Sequence, residues 1–163
     1  VNINLRELKC PLTFERYVRD GGWCASPFLQ LTIQMVEFWS VRGYEFKFSR
    51  IGPLMFKNDQ RLFLITTGYA PPSRYNIPLS DRATNYIHFI DLDGNPFFQT
   101  HASKQERFIE FAFEYFKETL EQFPPTEEEL EKLYAAAKFG NQGFIGRIPY
   151  LDIDGDAPIE ESI

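Results

Sequence analysis

Cysteine and histidine are scarce in this chain, with two of each among 163 residues. So few cysteines exclude a disulfide-dense secreted scaffold. No C-x-x-C or H-x-x-x-H spacing puts two metal ligands on one turn, so no metal and no cofactor is expected. No stretch approaches the roughly 18 consecutive apolar residues that span a bilayer. The opening Val1-Asn2-Ile3-Asn4-Leu5 lacks the basic flank and long apolar core of a signal peptide, a feature that trimming would hide. A cytoplasmic location is expected, which two reduced thiols would fit. Phosphate-loop, dinucleotide-binding and G-x-S-x-G patterns are missing as well.

Concentrated basic charge is also lacking. The formal net charge is −6 and the pI is near 5.0. Residues 1–75 carry 10 Lys+Arg against 6 Asp+Glu, whereas 76–163 carry 7 against 17. The surplus of the first half is scattered over Arg6, Lys9, Arg16, Arg19 and Arg42. Nucleic acid is thus not an expected partner. The acidic second half either attracts the first weakly on folding or faces a basic partner.

What the chain has in plenty is aromatic side chains, 17% of the residues, within a hydrophobic fraction of 44%. That fraction excludes a disordered chain. The length predicts one domain over 1–163 that buries about two thirds of its unfolded surface. No internal repeat or linker divides it.

Thr13 is placed to cap a short helix through Phe14, Tyr17 and Val18 that stops at Asp20-Gly21-Gly22. Ser26-Pro27 suits the start of a second helix, and Gly43 its end. Between them most positions are apolar, leaving Gln30, Gln34, Glu37 and Val41 as a narrow polar stripe. A helix this apolar packs on a sheet or on a second subunit, which makes a homodimer one expectation. Tyr44, Phe46 and Phe48 alternate with polar residues as a half-buried strand. Residues 54–57 and 61–67 read as a hairpin around Asn58-Asp59-Gln60, and 86–92 with 97–100 as another around Asp93-Gly94. Residues 70–84 form a long loop of the kind that often carries function.

Two helices then start with capping boxes, Ser103 with Glu106 and Thr126 with Glu129. The first buries Phe108, Ala112, Tyr115, Phe116, Leu120 and Phe123, and Pro124-Pro125 breaks the run. The second buries Leu130, Leu133, Tyr134 and Ala137 and stops near Gly140. Residues 141–163 read as an extended arm or late edge strand. The fold class is α+β: an antiparallel sheet of about five strands packed by an N-terminal apolar helix and two C-terminal helices.

Cys24, next to the start of the second helix, is the candidate nucleophile, because helix N-termini favour the thiolate. Its base would be His88 or His101, both on the second hairpin. If Asp93-Gly94 is a two-residue turn, His88 faces Gln99 and Tyr86 faces His101. Gln99 or His101 could then orient the imidazole. If Gly94 is instead a bulge after a type I turn, Asp91 faces Asn95, and His88 faces Phe98 and loses that partner. A Cys at a helix start with a distant strand His resembles the layout, though no motif, of papain-like hydrolases. The commoner role for a free Cys is a small buried hydrophobe.

Asp91-x-Asp93-Gly94-Asn95 and Asp152-x-Asp154-Gly155-Asp156 are calcium-like, but neither has the EF-hand order. The first is accounted for by a turn and the second by a solvated tail. Glu106, Glu110, Glu114 and Glu118 repeat every four residues, either as a solvated face or as a docking strip for a basic partner. Trp23, Tyr75, Phe144 and Tyr150 are the aromatics without a place in the core, and Trp23 and Tyr75 join the partner-binding candidates. The leading expectation is a non-catalytic interaction module that binds a partner protein. Secretion chaperones and toxin-neutralising proteins share its helix–sheet–helix order. The alternative is a cysteine hydrolase or transferase built on Cys24 and His88. An aromatic-lined small-ligand pocket is a third.

Overall fold

The computed structural model describes residues 4–20, 26–67 and 86–140. Helices α1 (Phe14–Asp20) and α2 (Ser26–Ser40) precede strands β1 (Glu45–Ser49), β2 (Gly52–Lys57), β3 (Gln60–Thr67), β4 (Tyr86–Ile90) and β5 (Pro96–His101). A 3-10 turn (Ala102–Lys104) leads into α3 (Glu106–Tyr115), α4 (Lys117–Gln122) and α5 (Glu127–Gly140). The strands pair antiparallel in sequence order, β1-β2-β3-β4-β5, giving an α+β fold with a five-stranded sheet.

Strand alternation gives the sheet two apolar faces. Met55, Phe63, Ile65, Ile87 and Phe89 point to the helices and join Phe28, Leu31, Met35 and Trp39 of α2 with Phe108 and Ala112 of α3. Phe89 stacks on Phe108 at 4.4 Å between ring centroids, and Phe98 on Phe111 at 4.2 Å. Val36 on another side of α2 meets Tyr17 of α1 and Phe48 of β1. The apolar residues of α2 are thus met within the chain by the sheet, α1 and α5.

Leu54, Phe56, Leu64 and Ile90 point the other way and are covered by Leu5 and Leu8. The Arg61 guanidinium donates to the carbonyls of Leu5 and Leu8, the latter at 2.9 Å. Arg6 ties the same segment to the β4–β5 turn through Asp93 at 2.8 Å and the Leu92 carbonyl at 3.1 Å. Arginines that look scattered in sequence therefore hold the N-terminal segment across the sheet.

The local signals fare unequally. Thr13 accepts from Arg16 N–H at 3.1 Å and caps α1. Gly43, at φ 96°, ends the turn after α2, a left-handed conformation that suits glycine. The β2–β3 link is Asn58-Asp59, with φ of 50° and 65°, and Gln60 belongs to β3. Two positive φ values are what a type I′ hairpin requires.

The Thr126–Glu129 capping box forms in both directions: Glu129 N–H donates to Thr126 Oγ1 at 3.1 Å and Thr126 N–H to Glu129 Oε1 at 2.9 Å. Ser103 does not cap α3, because a 3-10 turn intervenes and the helix starts at Glu106 without a side-chain cap. The long helix expected over 103–123 is broken at Phe116 (φ −106°, ψ 29°), whose buried ring meets Trp39, Tyr44 and Phe63. Tyr115, Phe123 and Tyr134, expected to be buried, are exposed.

Candidate interaction surface and the paired histidines

The β4–β5 hairpin reconciles the two registers. Gly94 N–H donates to Asp91 O at 3.0 Å, Asp91 N–H donates to Asn95 O at 2.9 Å, and Gly94 has φ 84°. That is a type I turn with a glycine bulge. The register then shifts again between Phe89 and Ile90, which leaves Phe97 as an extra residue on β5. The second shift restores His88 opposite Gln99 and Tyr86 opposite His101. Asp91 Oδ1 accepts from Asp93 N–H at 3.0 Å and Asn95 N–H at 2.9 Å, so the calcium-like Asp91–Asn95 motif is a closed turn.

His88 is 2% exposed, and neither ring nitrogen has a hydrogen-bond partner among the described residues. Burial pushes its pKa down to about 4, so the ring is neutral near pH 7 and a weak base. Gln99, its cross-strand neighbour, is exposed and makes no bond to the ring. His101 is exposed, and its Nδ1 accepts from Ser103 N–H at 3.2 Å. The Tyr86 ring touches both imidazoles edge-on, at 6.3 Å from His88 and 5.4 Å from His101.

Cys24, Trp23 and Tyr75 lie outside the described residues, as do Phe144, Tyr150 and the acidic Asp152–Asp156 motif. The described cysteine is Cys10, where burial raises the thiol pKa against the opposing pull of Arg61 and Lys47. Among the described residues no three His, Cys, Asp or Glu side chains are grouped to hold a metal ion. No helix of the described residues is long and apolar enough to cross a membrane.

Glu106, Glu110 and Glu114 share α3, but the break at Phe116 puts Glu118 on α4, so the four do not form one unbroken stripe. Over 106–140 there are nine Glu against four Lys or Arg. Desolvation first, then the charges of Glu110 and Glu106, raise the phenol pKa of Tyr134 on α5. Two helices thus contribute acid and an exposed tyrosine to one surface. The large apolar side chains exposed among the described residues are Val41, Tyr115, Phe123, Tyr134 and Phe139, all on helices or their ends. Val41 and Phe139 mark the two ends of a groove along α2 and α5, with Gln34 and Lys132 at its middle.

Sequence reasoning missed Arg42. Its side chain is fully buried and all five N–H groups are used: Nε to Phe123 O, Nη1 to Phe38 O and Glu129 Oε2, and Nη2 to Pro124 O and Glu129 Oε1. The guanidinium also lies 3.8 Å from the Phe38 ring centroid and 4.9 Å from that of Phe123. Nothing in the sequence links Arg42 to a glutamate 87 positions away.

No protein-family model matches the chain, and neither a curated protein nor a solved structure matches it significantly.

Proposed function

We propose that the chain is a non-catalytic protein-interaction module, a chaperone-like or inhibitor-like acidic adaptor that binds a basic partner protein in the cytoplasm through its helical layer. The observation that carries this reading is Tyr134, an exposed ring beside Glu106 and Glu110 of the neighbouring helix. A half-exposed aromatic with acidic neighbours offers apolar area and charge to a Lys- or Arg-bearing surface. The cysteine-hydrolase alternative rests on Cys24. It gains no support from His88, which is buried, neutral and unbonded to Gln99.

The test is titration with an amphipathic peptide carrying Arg on one helical face, followed by amide chemical shifts. Shifts should gather on α3 and α5 and weaken as salt rises. A Glu110→Lys/Glu114→Lys variant should lose the peptide, while Glu7→Lys keeps it. Equal binding by both variants, or none by the parent chain, sinks the proposal.

A further inference from the structure

Both histidines of the chain stand at the same end of β4 and β5, on one face, with the Tyr86 ring in contact with each. A proton would disturb the surroundings of each, for a different reason. His88 is enclosed with no hydrogen-bond partner for either nitrogen among the described residues, so a charge there would be neither hydrated nor paired. His101 Nδ1 lies 3.2 Å from the Ser103 N–H and 3.0 Å from Ser103 Oγ, and it serves the backbone donor only while that nitrogen carries no proton, since a backbone N–H can only donate. Through that bond His101 caps the 3-10 turn that leads from the sheet into α3. Thr100 Oγ1 donates to Lys104 O at 3.0 Å and closes the other side of the same turn.

We propose that this end of β4–β5 is an acid-responsive latch, in which two neutral histidines flanking Tyr86 hold the Ala102–Lys104 turn against the sheet and release it when they take up protons. Protonation at His101 Nδ1 removes the acceptor for Ser103 N–H and turns the ring into a donor to Ser103 Oγ at 3.0 Å, so the backbone cap of the turn is lost. Protonation of His88 puts a cation into the sheet interior, and the strand end must open to hydrate it. Among the described residues the groups beside His88 are Thr66 on β3, Gln99 on β5 and Tyr86 on its own strand, of which Tyr86 is titratable and none is a carboxylate, Lys or Arg. Ser103 and exposed Lys104 neighbour His101 on the turn, and Tyr86 faces it from β4. Burial alone lowers the His88 pKa, with no charged group contributing.

With two histidines in the chain, their imidazole NMR signals are resolved and can be followed from neutral pH downwards, alongside amide hydrogen exchange. Protection at 86–90 and 99–105 should fall by a factor on the order of 100 between the ordinary histidine range and about pH 4, while β1–β3 stay protected. His88→Leu removes the buried site. His101→Asn, at an exposed position, keeps a side-chain acceptor for Ser103 N–H that does not titrate. The double variant should hold its protection over the same range, and each single variant should lose less protection than the parent. Three results would each overturn the latch: undiminished protection in the parent chain at pH 4, equal loss in the variants, or simultaneous loss over the whole chain.

Discussion

Arg42 and Glu129 form a bidentate pair, with Nη1 to Oε2 at 2.7 Å and Nη2 to Oε1 at 2.8 Å, across the junction of α2 and α5. The guanidinium is fully buried and Glu129 partly so. The other three N–H groups reach the carbonyls of Phe38, Phe123 and Pro124, so one side chain joins the end of α2 to the Phe123-Pro124 link and the start of α5. Phe123 is half exposed, with its carbonyl taking the Nε–H and its ring 4.9 Å from the guanidinium. Removing the carboxylate strands a buried cation, and Glu129→Ala should cost about 3–5 kcal/mol in urea unfolding. Arg42→Lys should also destabilise, since a lysine cannot reproduce the planar fork. If both variants unfold at the parent's urea midpoint, the pair does not hold the junction.

Acid should act on the fold in two separable phases. His88 has its pKa lowered from 6.5 to about 4 by burial, so the unfolded chain binds the proton first. Its contribution is complete above pH 6.5 and is lost as pH falls towards 4, amounting to roughly 3 kcal/mol. Glu129 has its pKa lowered from 4.5 to about 2, chiefly by its hydrogen bond to Arg42. Its contribution is complete above pH 4.5 and is lost as pH falls through 2. Urea midpoints measured against pH should lose the upper phase in His88→Leu and the lower one in Glu129→Gln. A curve unchanged by either substitution would refute the assignment.

Gly52 is fixed by a close approach between strands. It has φ +144°, and a Cβ there would lie 2.0 Å from the carbonyl oxygen of Ile65. That neighbour is backbone held in β3, so it cannot swing aside as a side-chain tip would. Gly52→Ala should therefore cost at least about 2 kcal/mol and lower the thermal midpoint. A neutral Gly52→Ala would show that β2 can shift relative to β3.

Local signals were legible where the chemistry itself is local. Thr126 and Glu129 are three residues apart and satisfy each other, as that spacing predicts. Ser103 and Glu106 have the same spacing, yet the 3-10 turn between them takes its cap from His101. The difference lies in the strand that precedes it, where His101 still belongs to β5. Thr126→Ala should thus cost about 1 kcal/mol and Ser103→Ala much less, read from unfolding midpoints. The hairpin shows the same limit: turn chemistry at Asp91–Gly94 selected a bulge, and a second bulge at Phe97 then restored the pairing that bears on His88. Arg42, Arg61 and Arg6 were illegible because the distant partners they join lie 81–87, 53–56 and 86–87 positions away.

The thiols discriminate between the interaction module and the hydrolase. A nucleophilic Cys24 would need a base able to take its proton near neutral pH. With His88 buried and its pKa near 4, His88→Ala should leave the pH profile of Cys24 alkylation unchanged. Cys10 supplies the internal reference: burial raises its pKa, so its alkylation should be slow and should need higher pH than an open thiol. Mass spectrometry of the two cysteine peptides separates their rates in a single experiment. If Cys24 reacts rapidly below neutral pH in the parent chain and slows in His88→Ala, the imidazole acts on the thiol. The hydrolase reading would then displace the adaptor.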